Sequence, residues 1–123
     1  MEKIKFDPNG GNVKVEIEYL GAITASYVYH LWSANSNTVV IEKLGNNQNP
    51  EDDIYFLPQP ANQNVNRIID VLSSLKNGDA AKLKATVKIK VFQGQKKIGE
   101  VSETETIEAQ KSVINNIFIK LIV

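Results

Sequence analysis

The chain contains no cysteine. That excludes disulfides, zinc–thiolate centres, iron–sulfur clusters and thiol nucleophiles. The compartment stays open, because cysteine-free domains occur on both sides of a membrane. Histidine and tryptophan occur once each, so no multi-histidine metal site can be built. No apolar run is long: IFIKLIV at the C-terminus falls well short of the roughly 20 residues that a spanning helix needs. No membrane insertion is expected. The opening MEKIKFDPNGG has no apolar h-region, the pattern of a chain without a signal peptide. Such a chain is cytoplasmic, or is the mature form of a secreted or cell-surface protein. Charge of one sign is also lacking, since fourteen basic residues balance fourteen acidic ones. A neutral chain is a poor coat for nucleic acid or an anionic membrane, and it has little colloidal repulsion against self-association. There is no Gly-rich phosphate loop, no G-x-S-x-G and no H-E-x-x-H. The lone His30, near Ser26 and Ser33, lacks the strained elbow of a hydrolytic triad. The expected protein is therefore not an enzyme, and no cofactor is expected.

What is present is alternation. The 123 residues suffice for one domain, taken as 1–123. In VKVEIEY (13–19), Val13, Val15, Ile17 and Tyr19 share one face, and Lys14, Glu16 and Glu18 the other. That is a half-buried strand. KIKF (3–6), TASYVYHLWS (24–33), TVVIEKL (38–44), IYFL (54–57), KLKATVKIKVF (82–92), KIGEVSETETIE (97–108) and SVINNIFIKLIV (112–123) read as further strands. Gly, Asn and Pro punctuate them. The segment 65–76 is ambiguous. Val65, Ile68, Ile69, Leu72 and Leu75 have helical spacing, and Asn64 or Asn66 is placed to cap it. A strand is preferred, because the neighbours are all β and a second sheet supplies a partner. The fold class is then all-β: a single antiparallel β-sandwich of about eight strands, with one short helix at 65–76 as the alternative.

Leu75-x-x-Gly78 before the long alternating strand 82–92 resembles the corner between strands E and F of immunoglobulin and fibronectin type III domains. The tyrosine that usually marks that corner is absent, with Ala80, Ala81 and Lys82 in its region. The resemblance implies an architecture and no family function.

Four features are candidate sites. The stretch YVYHLWSANSNTVVIEKLG (27–45) puts Tyr27, Tyr29 and Leu31 on one strand face, and Val28, His30 and Trp32 on the other. Trp32 is the expected core filler. Val39 and Ile41 are expected on the histidine face, and Val40 and Leu44 on the tyrosine face. Tyr27 and Tyr29 are then the rings free to stack on a sugar, with Asn46 and Asn47 hydrogen-bonding its hydroxyls. The loop that follows carries Glu51, Asp52 and Asp53, hard oxygens of the kind calcium takes, although without the EF-hand order. A solvated loop carrying charge for solubility is the preferred reading. Lys82, Lys84, Lys88 and Lys90 form a stripe on one strand. Some of Glu100, Glu103, Glu105 and Glu108 are expected across from it, given a bulge or a three-residue turn near Gly94-Gln95. The last strand is apolar on both faces, so Ile117, Ile119 and Leu121 belong either to a central strand or to a subunit interface.

Together these features predict a non-catalytic binding or protein-interaction module. The abundance of Asn, Lys and Ile suits an AT-rich bacterial genome. A carbohydrate-binding module, using the aromatic face and the Asn-rich loop, is one alternative. A structural or oligomerisation protein is the other. The expected partners are a protein or a second copy, then a carbohydrate, and not nucleic acid.

Overall fold

The computed structural model describes residues 1–48 and 53–123. Among them are nine strands and one 3-10 turn, at Ala61–Asn64. The strands are β1 (Glu2–Lys5), β2 (Val13–Leu20), β3 (Thr24–Trp32), β4 (Val39–Asn46), β5 (Ile54–Phe56), β6 (Ile68–Lys76), β7 (Leu83–Gln93), β8 (Lys96–Ile107) and β9 (Ser112–Ile122). They form two sheets. One has five strands in the order β1-β9-β6-β3-β4, and the other has four in the order β5-β2-β7-β8. Every pairing is antiparallel except that of β1 with β9. The core lies between the sheets. It takes Val13, Val15 and Ile17 from β2, Ala85, Val87, Ile89 and Val91 from β7, Ile69, Val71 and Leu75 from β6, and Ile117, Ile119 and Leu121 from β9.

The ambiguous segment is strand β6, the middle of the larger sheet. Its helical reading fails at the start. Asn66 adopts a left-handed φ of 65°, and Asn64 is turned inward, donating to the Pro58 carbonyl and accepting from Arg67. Neither caps a helix. β-Branched Ile68, Ile69 and Val71 fit an extended strand with a neighbour on each side.

The corner after β6 is held by Asn77, whose side chain is buried. Its Nδ2 donates to the carbonyls of Ala81, Ile107 and Glu108, and its Oδ1 accepts from Asp79 N. Leu75 plugs the core just above it.

The β7–β8 hairpin turns at Gly94-Gln95, where Gly94 has φ 60°, between paired Gln93 and Lys96. A register shift follows at Val91/Phe92, so Lys90 faces Glu100. The expected bulge is present, and the lysines face outward as expected. Of the four glutamates, Glu100 lies across from the stripe, opposite Lys90. Glu103 pairs with Val87 and Glu105 with Ala85, which puts both glutamates at inward-facing positions. Lys90 instead forms its ion pair with Glu18 of β2, at 2.9 Å.

A second shift, between Leu31 and Trp32, overturns the expected facing of the β3–β4 hairpin. Ile41 pairs with Leu31 and joins the tyrosine face, while Leu44 pairs with Val28 and joins the histidine face. The tyrosine face is the buried one. Trp32 lies on the outside of the sandwich, half-buried, and not in the core.

Candidate binding face of the five-stranded sheet

All four tyrosines of the chain meet inside one end of the sandwich. Tyr19 stacks on Tyr27 with ring centroids 6.1 Å apart, Tyr27 meets Tyr55 edge-on, and Tyr29 lies 5.1 Å from Tyr55. Tyr27 donates its hydroxyl to Asp53 Oδ1 at 2.6 Å and is also hydrogen-bonded to the Tyr55 hydroxyl. The Tyr19 hydroxyl is paired with Ser73 Oγ at 2.7 Å. Burial, foremost, pushes the phenols of Tyr19, Tyr27 and Tyr29 above their ordinary value of 10.0. The Asp53 carboxylate adds to this for Tyr27.

Three of the expected site residues, Tyr27, Tyr29 and Asp53, are thus gathered, but inward. Tyr27 is 3% exposed and Tyr29 0%. Neither offers a ring face to a sugar, because the strand that carries them packs them beneath β2 and β5. Asp53 is buried and accepts the Tyr27 hydroxyl. Glu51 and Asp52 lie outside the described residues. Among the described residues, no group of three or more acidic, histidine or cysteine side chains is placed to hold a metal ion. Asn47 accepts from Ala25 N and donates to the Ile23 carbonyl, so its amide pins the start of β3. Asn46 is exposed and accepts from Gln48 N. Ile117, Ile119 and Leu121 are all buried in the core, so the interface expected of them is not on the surface. Their odd-numbered positions face the other sheet.

The outward positions are different. The ladders β4-β3-β6-β9 align outward side chains in rows. Asn46, Ser26, Ser74 and Ile114 form the first row, and Leu44, Val28, Leu72 and Asn116 the second. Glu42, His30, Asp70 and Phe118 form the third, and Val39, Trp32, Ile68 and Lys120 the fourth. The second row is apolar across β4, β3 and β6 and ends in Asn116 on β9, with Ile114 and Phe118 on either side of it. Leu44 is 74% exposed, Ile114 66%, Leu72 41% and Phe118 41%. Val28, Leu44, Leu72, Ile114 and Gly45 line a shallow hollow there.

A polar scaffold holds this face rigid. Asp70, almost fully buried, accepts from Trp32 Nε1 at 2.9 Å and from Asn116 Nδ2 at 2.6 Å. The His30 and Trp32 rings lie 5.1 Å apart. His30 Nε2 is 3.8 Å from Glu42 Oε2. Ser26 and His30 stand four residues apart on one strand, roughly 13 Å, beyond the reach of a nucleophile–base hydrogen bond.

The outer face of the four-stranded sheet differs in kind. Glu16 and Glu18 on β2 lie beside Lys90 and Lys88 on β7, with Glu100 and Ser102 beyond them, and Lys14 lies beside Phe92. The exposed apolar side chains of this face are Ile54 and Phe56 on the short edge strand β5 and Leu20 at the end of β2.

The comparisons with known proteins add no relative: no protein-family model matches the chain, and no curated protein or solved structure is significantly similar to it.

Proposed function

We propose that this protein is a non-catalytic protein-interaction module whose binding face is the outside of the five-stranded sheet. One observation carries the reading. Leu44, Leu72, Ile114 and Phe118 are exposed on one hydrogen-bonded sheet face, with Val28 between the two leucines, while the middle of the opposite sheet face is charged. Scattered exposed leucines need no explanation, but a contiguous apolar patch on one face is the mark of an interaction surface. Its make-up, an apolar centre with Glu42, Lys120 and Asn46 around it, is that of an interface core with a polar rim.

Site-specific photo-crosslinking in the native cell tests this. A photoreactive residue at Leu72 should give discrete protein adducts, and the same residue at Lys88 should give none. Equal labelling from both positions, or adducts from Lys88 alone, would end the proposal. Sedimentation of the purified chain then shows whether the adduct is a second copy.

A further inference from the structure

The edges of the larger sheet are unequal. Strand β1 covers only Ile119–Ile122 of β9, and β9 begins at Ser112. Among the described residues, no strand pairs with the rest of that edge. Its backbone orientation follows from flanking bonds. Leu121 N donates to Arg67 O, and Leu121 O accepts from Asn66 N, both on the β6 side. Ile122 O accepts from Phe6 N on the β1 side. Alternation then turns the amides of Ile114 and Asn116 toward the open side.

The gap beside this open edge has a defined chemistry. Ile4 of β1 packs against Gly99 of β8: a Cβ on Gly99 would lie 2.6 Å from Ile4 Cδ1. Further along, the inward positions of β8 are Val101, Glu103 and Glu105. Asn115, 4% exposed, points into the same gap. Its Nδ2 donates to Glu103 Oε1 at 2.7 Å and to Glu105 Oε1 at 3.1 Å, while its Oδ1 has no partner. No basic side chain forms an ion pair with Glu103 or Glu105 among the described residues. Two carboxylates thus converge on one amide at a place where a strand is missing.

We infer that the 112–118 edge of β9 binds an extended segment of a partner protein by strand addition, one with Lys or Arg at alternate, inward-facing positions and apolar residues between them. The segment continues the line of β1. Its backbone takes up the amides of Ile114 and Asn116. Its basic side chains meet Glu103 and Glu105 and bring a donor to Asn115 Oδ1. Its apolar side chains lie beside Ile114 and Phe118 on the outer face. This deepens the interaction-module reading and rests on it.

The probe is a short end-blocked peptide of alternating valine and lysine, added to the whole chain and followed by fluorescence anisotropy and amide hydrogen exchange. It should bind better than the valine–glutamate peptide and should slow exchange at Ile114 and Asn116. E103Q/E105Q keeps acceptors for Asn115 and should weaken binding by about tenfold at low salt. Ile114→Pro, which removes one edge N–H at an exposed position, should do the same with the peptide charge unchanged. If the two peptides bind alike, or the amides stay unprotected, the carboxylates serve only to guard the edge and the inference is overturned. Concentration-dependent protection of the same amides without peptide would mean that a second copy fills the edge, and would overturn it too. Crosslinking at Leu72 that persists through either failure would leave the interaction reading standing.

Discussion

Tyr27 shows how one side chain ties two parts of the chain together. Its ring crosses Gly45, where a Cβ would come within 2.3 Å of the phenol, and its hydroxyl reaches Asp53. Glycine at 45 is needed for that close approach. Tyr27→Phe should lower unfolding free energy by about 1–3 kcal/mol, as measured by urea denaturation. The cluster also sets an alkaline limit. The phenols of Tyr19, Tyr27 and Tyr29 hold their protons more tightly folded than unfolded. The stability they confer is therefore complete below the unfolded value of about 10 and is lost as pH rises above it. Tyrosinate absorbance should show these three phenols ionising together with unfolding, not before it.

Among elements, the crossing from β6 to β7 depends on Asn77 and the edges depend on charge. Asn77 serves carbonyls from two other segments, so Asn77→Ala should cost about 2–3 kcal/mol in a denaturant titration. Asp at the same position cannot rescue it, because a carboxylate offers acceptors where donors are needed. Free edges invite unwanted pairing, and inward charges blunt them. Lys43 occupies an inward register position on β4, opposite Tyr29, and Glu103 and Glu105 do so on β8. Lys3 and Lys5 lie within β1, and β5 is only three residues long. The lower half of β9 carries no such charge of its own.

At the scale of the whole molecule, the two sheets divide their labour. The smaller presents mainly charge across β2, β7 and β8, with exposed apolar residues at Leu20 and along β5, and the larger presents Leu44, Leu72, Ile114 and Phe118. Neighbouring residues on β9 should then respond in opposite ways. Ile117→Ala empties core volume and should cost about 2–5 kcal/mol. Ile114→Ala, three residues away on the outer face, should change stability by no more than about 0.5 kcal/mol. A thermal melt of the two variants separates them directly. No helix among the described residues is long and apolar enough to cross a membrane.

The strand content, most strand limits and the strand nature of 68–76 were legible in the sequence, because period-two alternation and β-branched residues are local properties. The inward faces of β2 and β7 were legible for the same reason: one of their two faces is charged. For β3, β6 and β9 both faces are apolar, so alternation says which residues go together and not which set goes inside. Only the pairing of the sheets decided that. The packing of β3 against the other sheet turned Trp32 outward and buried Tyr27 and Tyr29, and the register shift at Leu31/Trp32 sent Leu44 outward with it, so the proposed binding face is the one opposite to that expected. The open edge of β9 was equally hidden, since how far β1 reaches along it is a matter of tertiary register, which no local pattern encodes.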